Sequence, residues 1–482
     1  MRKQVHNAGG NDCIKVIGLM LSVALLCLTG CNSNATLRQA QAVYRVGDLE
    51  AANEHINTFV EKEGKGVDRV IAYLEQGTIR RELGNLTGSE ASFQVADNQV
   101  DSIDQKSDVS VSQEVYASVT NMNNLTYRGY YYDRVMLSVY RALNCMQMGN
   151  MEAARVNLIR AYNRQVQAVD HNAKRIEKAQ DSANKVAKDK NVNVARTRND
   201  PGFTAAMDKQ YANLTQYHAY GDYVNPFAEW LQGLYFMADS ADGSDMERAR
   251  KSMERTAGMV PSNGYVRDDL KMIEAIQQGS KIAPMTYILF ATGTAPLRGE
   301  VRLDIPVFLF ATDVDYVGAN FPKLLFNPNF MRNLAISVQG QQYSTQLLAD
   351  MDSIVAQEFE DELPVVITRT IISAASKAAI AYGVRKSVNN QDSWEALAIR
   401  LAAAAYQVAT NEADLRTWAS LPKQFQIARF PTPDNHTIAL QGGPAGSRSV
   451  TLQPGLINVV FVRSIAPYVP MAITQFSFGK GS

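Results

Sequence analysis

Two spacings of apolar residues divide this chain. Over residues 35–280 they recur every three to four positions, as on one face of a helix; from about Thr286 they alternate in short runs. In the first stretch "AVYRVGDLEAANEHINTFV" (42–60) and "ALNCMQMGNMEAARVNLIRAY" (142–162) follow one pattern. Each has Gly, a short polar residue, an apolar residue, Glu and Ala-Ala, then an apolar residue four positions on, Ile56 and Leu158. A weaker copy, "LEQGTIRRELGNLTGSEASFQVAD" (74–97), lies between them. A fourth, "NPFAEWLQGLYFMADSADGSDMERARKSMERTAGMVP" (225–261), has an acidic insertion in its turn.

This arrangement resembles the turn and second helix of a tetratricopeptide repeat, in which glycine ends the first helix and alanine lets two helices approach closely. Here the turn falls to Gly47, Gly84 and Gly149 and the small second-helix position to Ala52, Ala154 and Ala249, while Gly77 takes a close-packing position on its first helix and Gly233 fits the first helix of the fourth copy. The expectation is a helical repeat domain over residues 31–280, with a long helical insertion at about 165–224. Residues 98–125, rich in Ser, Asn and Asp, read as a connection. Residues 165–200 read as a long helix breaking near Asn199-Asp200-Pro201. From Lys174 to Arg198 it carries eight basic and three acidic side chains, suiting either a solvated face or docking to an acidic partner or lipid headgroups. The tyrosines and arginines of "NLTYRGYYYDRVMLSVYRAL" (124–143) are either helix-pair core or a binding patch. First-helix residues such as Tyr44, Arg80 and Tyr140 are the expected contact surface.

The second half, 281–482, predicts an α+β domain. "TYILFA", "EVRLDIPVFLF", "LAISVQ", "QFQIARF", "HTIALQ", "SVTLQ" and "INVVFVRSI" read as strands separated by turn residues. Between them, a helix is expected from Leu347 onward. A nearly all-apolar one at 393–410 is expected as the buried centre of the domain. In "NEADLRTWASLPKQFQIARF" the reading has Asn411 capping a short helix, Asp414 pairing with Arg416 and Trp418 in the core.

The N-terminus changes the picture from fold to place. A basic start, Arg2 and Lys3, precedes a 13-residue apolar run, Val16 to Leu28. A spanning helix needs roughly 20, so this is signal-peptide length. Leu28-Thr29-Gly30-Cys31 resembles the bacterial lipobox. That resemblance implies cleavage of residues 1–30 and lipid on Cys31, including an amide-linked acyl chain such as palmitate; Asn32 in the next position implies sorting to the outer membrane. The alternatives are cleavage elsewhere with Cys31 an ordinary thiol, or an uncleaved anchor.

The 482 residues carry 48 basic and 48 acidic side chains. Losing residues 1–30 removes Arg2, Lys3 and Lys15 with Asp12, taking the net charge from zero to minus two. That gives no pull towards nucleic acid. Cys145 would then lack an intrachain partner other than the lipidated Cys31, so no disulfide is expected.

"NPFAEWLQGLYF", "ATGTAPLRGEVRLDIPV", "LPVVITRTIISAASKAAIAY" and "EADLRTWASLPKQFQIARF" together resemble, in order, a family of bacterial outer-membrane lipoproteins containing tetratricopeptide repeats. The matching residues are Asn225 and Pro226, Gly293-Thr294-Ala295-Pro296, Arg369, Lys377, and Ala413 to Trp418, with Asp414, Arg416 and Trp418 its fixed points. The resemblance implies a place at the boundary of outer membrane and cell wall but no settled activity.

Motifs for chemistry are missing from the sequence. There is no His-Glu-x-x-His, Cys-x-x-Cys, Gly-x-Ser-x-Gly or phosphate loop, so neither metal nor cofactor is expected. "DVDYVG" (313–318) opens like a calcium loop, but Val317 and Leu324 stand where ligands belong. Asp434 and His436 lack a nucleophile. The reading is a non-enzymatic, lipid-anchored adaptor facing the periplasm, with an unidentified envelope protein or peptide as partner. Its rival is an envelope enzyme, such as a wall hydrolase, with a site near Asp414 and Arg416; a third reading displays the protein outside the cell.

Overall fold

A computed structural model describes residues 35–105, 125–217, 220–221, 224–308, 315–388 and 414–479. The signal segment, the lipobox Leu28-Thr29-Gly30 and Cys31 lie outside this range, as do the apolar segment 393–410, Asn411 and Ala413.

The first helices end where glycine lets them. Helix α1 (residues 35–45) is followed by α2 (Leu49–Glu63), α3 (Arg69–Glu82) by α4 (Leu86–Gln105), and α5 (Tyr131–Gln147) by α6 (Met151–Asp189). At each of these junctions a glycine takes a left-handed conformation, with φ +85° at Gly47, +79° at Gly84 and +75° at Gly149. The next amide then bonds back five residues: Asp48 to the Val43 carbonyl (3.3 Å), Asn85 to Arg80 (2.9 Å), Asn150 to Cys145 (2.8 Å). This is the Schellman closure, which satisfies helix-end carbonyls. Asp48 and Asn150 then cap the following helix by accepting from the Ala51 and Ala153 amides.

Gly77 serves space instead. A Cβ there would sit 2.4 Å from the Phe93 ring, and the Gly77 carbonyl accepts from Ser89 Oγ at 2.7 Å. In α9 (Pro226–Ala238), a Cβ on Gly233 would meet Met253 of α10 (Gly243–Met259) at 3.1 Å. Ala52, Ala154 and Ala249 are fully buried. Helix α11 (Gly264–Gln277) closes the helical half.

The strand-rich half has a five-stranded sheet in the order β11-β10-β1-β7-β6. It comprises β1 (Met285–Thr292), β6 (Gln346–Asp350), β7 (Gln424–Pro431), β10 (Ile457–Ser464) and β11 (Ala472–Phe478). β1 and β10 are parallel; the other pairs are antiparallel. β1 is buried on both faces because each face has its own cover. Tyr287, Leu289 and Ala291 join the helices in the largest core, whereas Ile288 and Phe290 face a four-stranded sheet. That sheet has the order β5-β4-β8-β9, formed by β4 (Ala335–Val338), β5 (Gln341–Ser344), β8 (Thr437–Gln441) and β9 (Ser447–Thr451). The layers are thus helices, central sheet, outer sheet.

A separate core lies away from these layers. The hairpin β2 (Leu297–Val307) and β3 (Asp315–Leu325) packs with the distal turns of α6, helix α8 (Pro201–Tyr211) and helix α12 (Met351–Val388). Ala183, Val186, Phe203, Ile305, Phe321 and Ile371 are among its residues. The insertion expected near 165–224 therefore folds against pieces of the strand-rich half.

The mixture of helix and sheet is as expected, and several boundaries are corrected. Residues 98–105 are not connection: α4 continues to Gln105, because Val100 and Ile103 extend the buried face begun by Phe93 and Ala96. The long helix starts at Met151 and breaks at Lys190–Asn193, where Asn191 has φ +56°. Helix α7 (Val194–Arg198) follows, and Pro201 opens α8 beneath the Asp200 cap rather than ending a helix. Residues 347–350 are strand β6, and β3, β5 and β11 are further strands that periodicity did not single out. Residues 414–418 form neither helix nor strand.

Candidate functional site

The residues singled out by motif converge on the seam between the helical layer and the central sheet. Arg416, 2% exposed, grips Asp414 with two nitrogens, Nε to Oδ1 at 2.8 Å and Nη2 to Oδ2 at 2.7 Å. Its Nη1 donates to Asp68 Oδ1 (2.7 Å), just before α3, and to the Leu125 carbonyl (2.8 Å). The expected local pair is therefore part of a bridge. Burial works against the Asp414 charge, but the Arg416 guanidinium holds its carboxyl below the usual range.

Trp418 is fully buried, its Nε1 donating to Thr78 Oγ1 of α3 (2.9 Å) and Ser420 Oγ (3.1 Å). The Phe93 and Tyr140 rings stand 5.9 and 5.7 Å from it. Glu75 accepts from the amides of Ala419 (2.8 Å) and Ser420 (3.3 Å) and from Gln41 Nε2 (2.8 Å). Two turns further along α3, Glu82 accepts from Arg463 Nε (2.9 Å) and the Tyr44 hydroxyl (2.7 Å). Arg463 Nη1 also donates to the Gly293 carbonyl at 2.6 Å. Asn225 caps α9 by accepting from the Phe227 amide (3.0 Å), with Pro226 in the first turn.

This geometry overturns the expected contact surface. Tyr44 and Tyr140 are each 1% exposed, since the chain's own sheet half occupies the face they present. Arg80 is half-buried, donating to Ser92 Oγ (3.0 Å) and Asn57 Oδ1 (3.3 Å). The same relation holds at α9, where Phe227 stacks on Phe425 at 4.0 Å and the Trp230 ring stands 5.8 Å from that of Tyr287 in β1. The inner faces of the helices hold the sheet.

Asp414 and Arg416 line neither of the two best-defined cavities; both are committed to the bridge. The two best-defined cavities lie elsewhere and have room for about one water molecule each. One, about 10 Å³, is lined by Tyr132, Asn225 and Glu358. Glu358 accepts from the Tyr131 and Tyr132 amides at the start of α5 (2.8 and 3.1 Å), and burial, reinforced by Glu362, pushes its pKa up to about 8. Nearby, Asp133 accepts from the Tyr127 hydroxyl (2.6 Å) and the Tyr130 amide (2.9 Å), and burial raises it to about 7. The Cys145 thiol is buried and pushed up to about 11, which makes it a poor nucleophile. Among the described residues no cluster of three or more His, Cys, Asp or Glu could hold a metal ion, and no described helix is long and apolar enough to cross a membrane.

The seam residues Asp68, Glu75, Thr78, Glu82 and Arg463 were not picked out by motif. Their signal was present: Arg463 is the one charge in the apolar strand "INVVFVRS", and Glu75 interrupts "VIAYLEQG". Open apolar surface lies on α6 instead. Val156 is 58% exposed, Val166 44% and Val169 45%, with half-buried Ile159 and Tyr162 on the same side. No protein-family model matches the chain, and no curated protein matches it.

Proposed function

We propose that this chain is a lipid-anchored envelope protein, tethered through Cys31 to the periplasmic face of the outer membrane. It acts there by holding a protein or peptide partner. In this reading α1–α2, α3–α4, α5–α6 and α9–α10 are four units of tetratricopeptide type. The recurrence of one glycine-closed turn at three of the junctions supports that reading. The partner binds the outside of the array, not the inner face, which the sheet fills.

The observation that carries the adaptor role is the stripe on α6. Ile159, Tyr162, Val166 and Val169 follow i, i+3, i+7, i+10 spacing, so they form one apolar line along a helix. Exposed apolar lines of this kind mark contact surfaces when they are continuous.

Two measurements test the two parts. Metabolic labelling with radioactive palmitate should mark the native protein and not Cys31→Ala; an unlabelled native protein removes the anchor. Crosslinking in intact cells should give a discrete adduct with one envelope protein that weakens in Cys31→Ala. Adducts that only follow the abundance of neighbouring porins would remove the adaptor role.

A further inference from the structure

The second cavity lies where α3, α5, β10 and β11 meet, at the edge of the seam, with a volume of about 20 Å³. Arg81, Glu82, Tyr140, Phe461, Arg463 and Thr474 line it. Its charges do not balance. Arg463 and Glu82 are paired at 2.9 Å, and Glu82 spends the same oxygen on the Tyr44 hydroxyl. Arg81, 4% exposed, is left without a carboxylate in contact. It donates through Nη1 to Asn144 Oδ1 and lies over the Tyr140 and Phe461 rings, 5.8 and 5.0 Å from their centroids. Its Nε and Nη2 are buried and take no partner among the described residues. Two guanidinium groups against one carboxylate leave one uncompensated positive charge in a largely buried joint. A buried charge in that state is costly.

A further donor is available. Thr474 Oγ1 accepts from Gln147 Nε2 at 2.7 Å, which turns its hydroxyl hydrogen elsewhere. The volume is that of a single water-sized occupant, so phosphate, sulfate and carboxylates are too large. A monatomic halide fits both size and sign. The unpaired Glu82 Oε2 repels it, but two arginines outweigh one carboxylate.

We infer that this cavity is a halide site, in which a chloride ion between Arg81 and the Thr474 hydroxyl completes the charge balance of the joint between helices and sheet. Binding there stabilises the assembled molecule, because the site exists only when both halves are docked.

Bromide serves as the probe, with sodium gluconate at equal ionic strength as the reference. The thermal midpoint of the purified protein should gain a component in bromide that is flat below the dissociation constant and rises logarithmically above it, by about 2 °C for each tenfold increase. Thr474→Val, which keeps every charge, should weaken that component at least several-fold, and Arg81→Met should abolish it. Should Arg81→Met fail to fold, crystals of the native protein grown in bromide decide. An anomalous peak within hydrogen-bond reach of Arg81 and Thr474 sustains the proposal. A water at that position, or bromide and gluconate curves that differ equally in native protein and Thr474→Val, overturns it.

Discussion

At the scale of single residues, the same amino acid does opposite jobs in α3 and its turn. Gly77 has helical geometry and is needed because the Phe93 ring lies where a Cβ would go. Gly84 has open space around it and is needed for its φ of +79°. Gly77→Ala should therefore overpack the α3–α4 contact and cost about 1–3 kcal/mol. Gly84→Ala should cost about 1–2 kcal/mol through left-handed strain alone. A second change, Phe93→Leu, discriminates between them in urea denaturation: it should recover part of the loss at 77 and none at 84. Asp133 supplies a pH dependence. Its folded pKa of about 7 lies above the ordinary aspartate value near 4, so between those values the folded state holds the extra proton. Stability from this group is complete below the unfolded value and is lost as pH rises through about 7, at about 1.4 kcal/mol per pH unit. Asp133→Asn keeps an acceptor for the Tyr127 hydroxyl and cannot titrate. The slope of unfolding free energy against pH between 4 and 7 should shrink by about one proton in that variant; an unchanged slope would mean the carboxyl stays ionised.

At the scale of elements, α6 is the one to test. Its inner side is fixed by Ala154, Leu158, Ala161 and Ala168, all buried, while Val166 and Val169 lie open. Replacing both with Asp should leave the thermal midpoint nearly unchanged, since exposed substitutions cost within about 0.5 kcal/mol each. It should also remove the envelope crosslink named above; retention of that adduct would move the contact surface elsewhere. The sequence announced α6 and the glycine-closed turns because capping and helical period are local properties. It announced β1 and β10 because strands covered on both faces read as nearly unbroken apolar runs, and β7 through the apolar residues spaced along "QFQIARF". It did not announce β5, whose side chains are exposed or half-exposed, or β11, half-buried along most of its length, since neither carries an apolar run of that kind. The site suffered for a related reason. Trp418 and the Asp414–Arg416 pair could be read from their own neighbourhood, but Asp68 lies 348 positions from Arg416. Nothing short of the fold reveals that bond.

At the scale of the whole molecule, the two spacings along the chain suggest two domains, and the packing binds them together. The largest core runs from Leu37 to Phe478, and in it Phe227 of the helical half stacks on Phe425 of the sheet while Trp230 meets Tyr287 with its ring tilted. The seam also holds Arg416 with Asp68, Arg463 with Glu82, and Arg429 with Asp269 at 2.7 Å, each joining one half to the other. A buried ion pair adds little net stability when intact, but separating it leaves two charges without partners. Opening the seam would expose aromatic surface and strand those charges together, so partial unfolding between the halves is strongly opposed. Heating should therefore give one transition, with calorimetric and van't Hoff enthalpies equal for the layered body. A fragment of residues 31–280 should collapse without fixed tertiary structure, because Trp230 and Tyr140 lose the sheet that covers them. Near-ultraviolet circular dichroism reads this directly. A fragment with the sharp aromatic signal of a folded protein and its own cooperative transition would show that the helical half stands alone, and that the ionic seam serves docking and not folding.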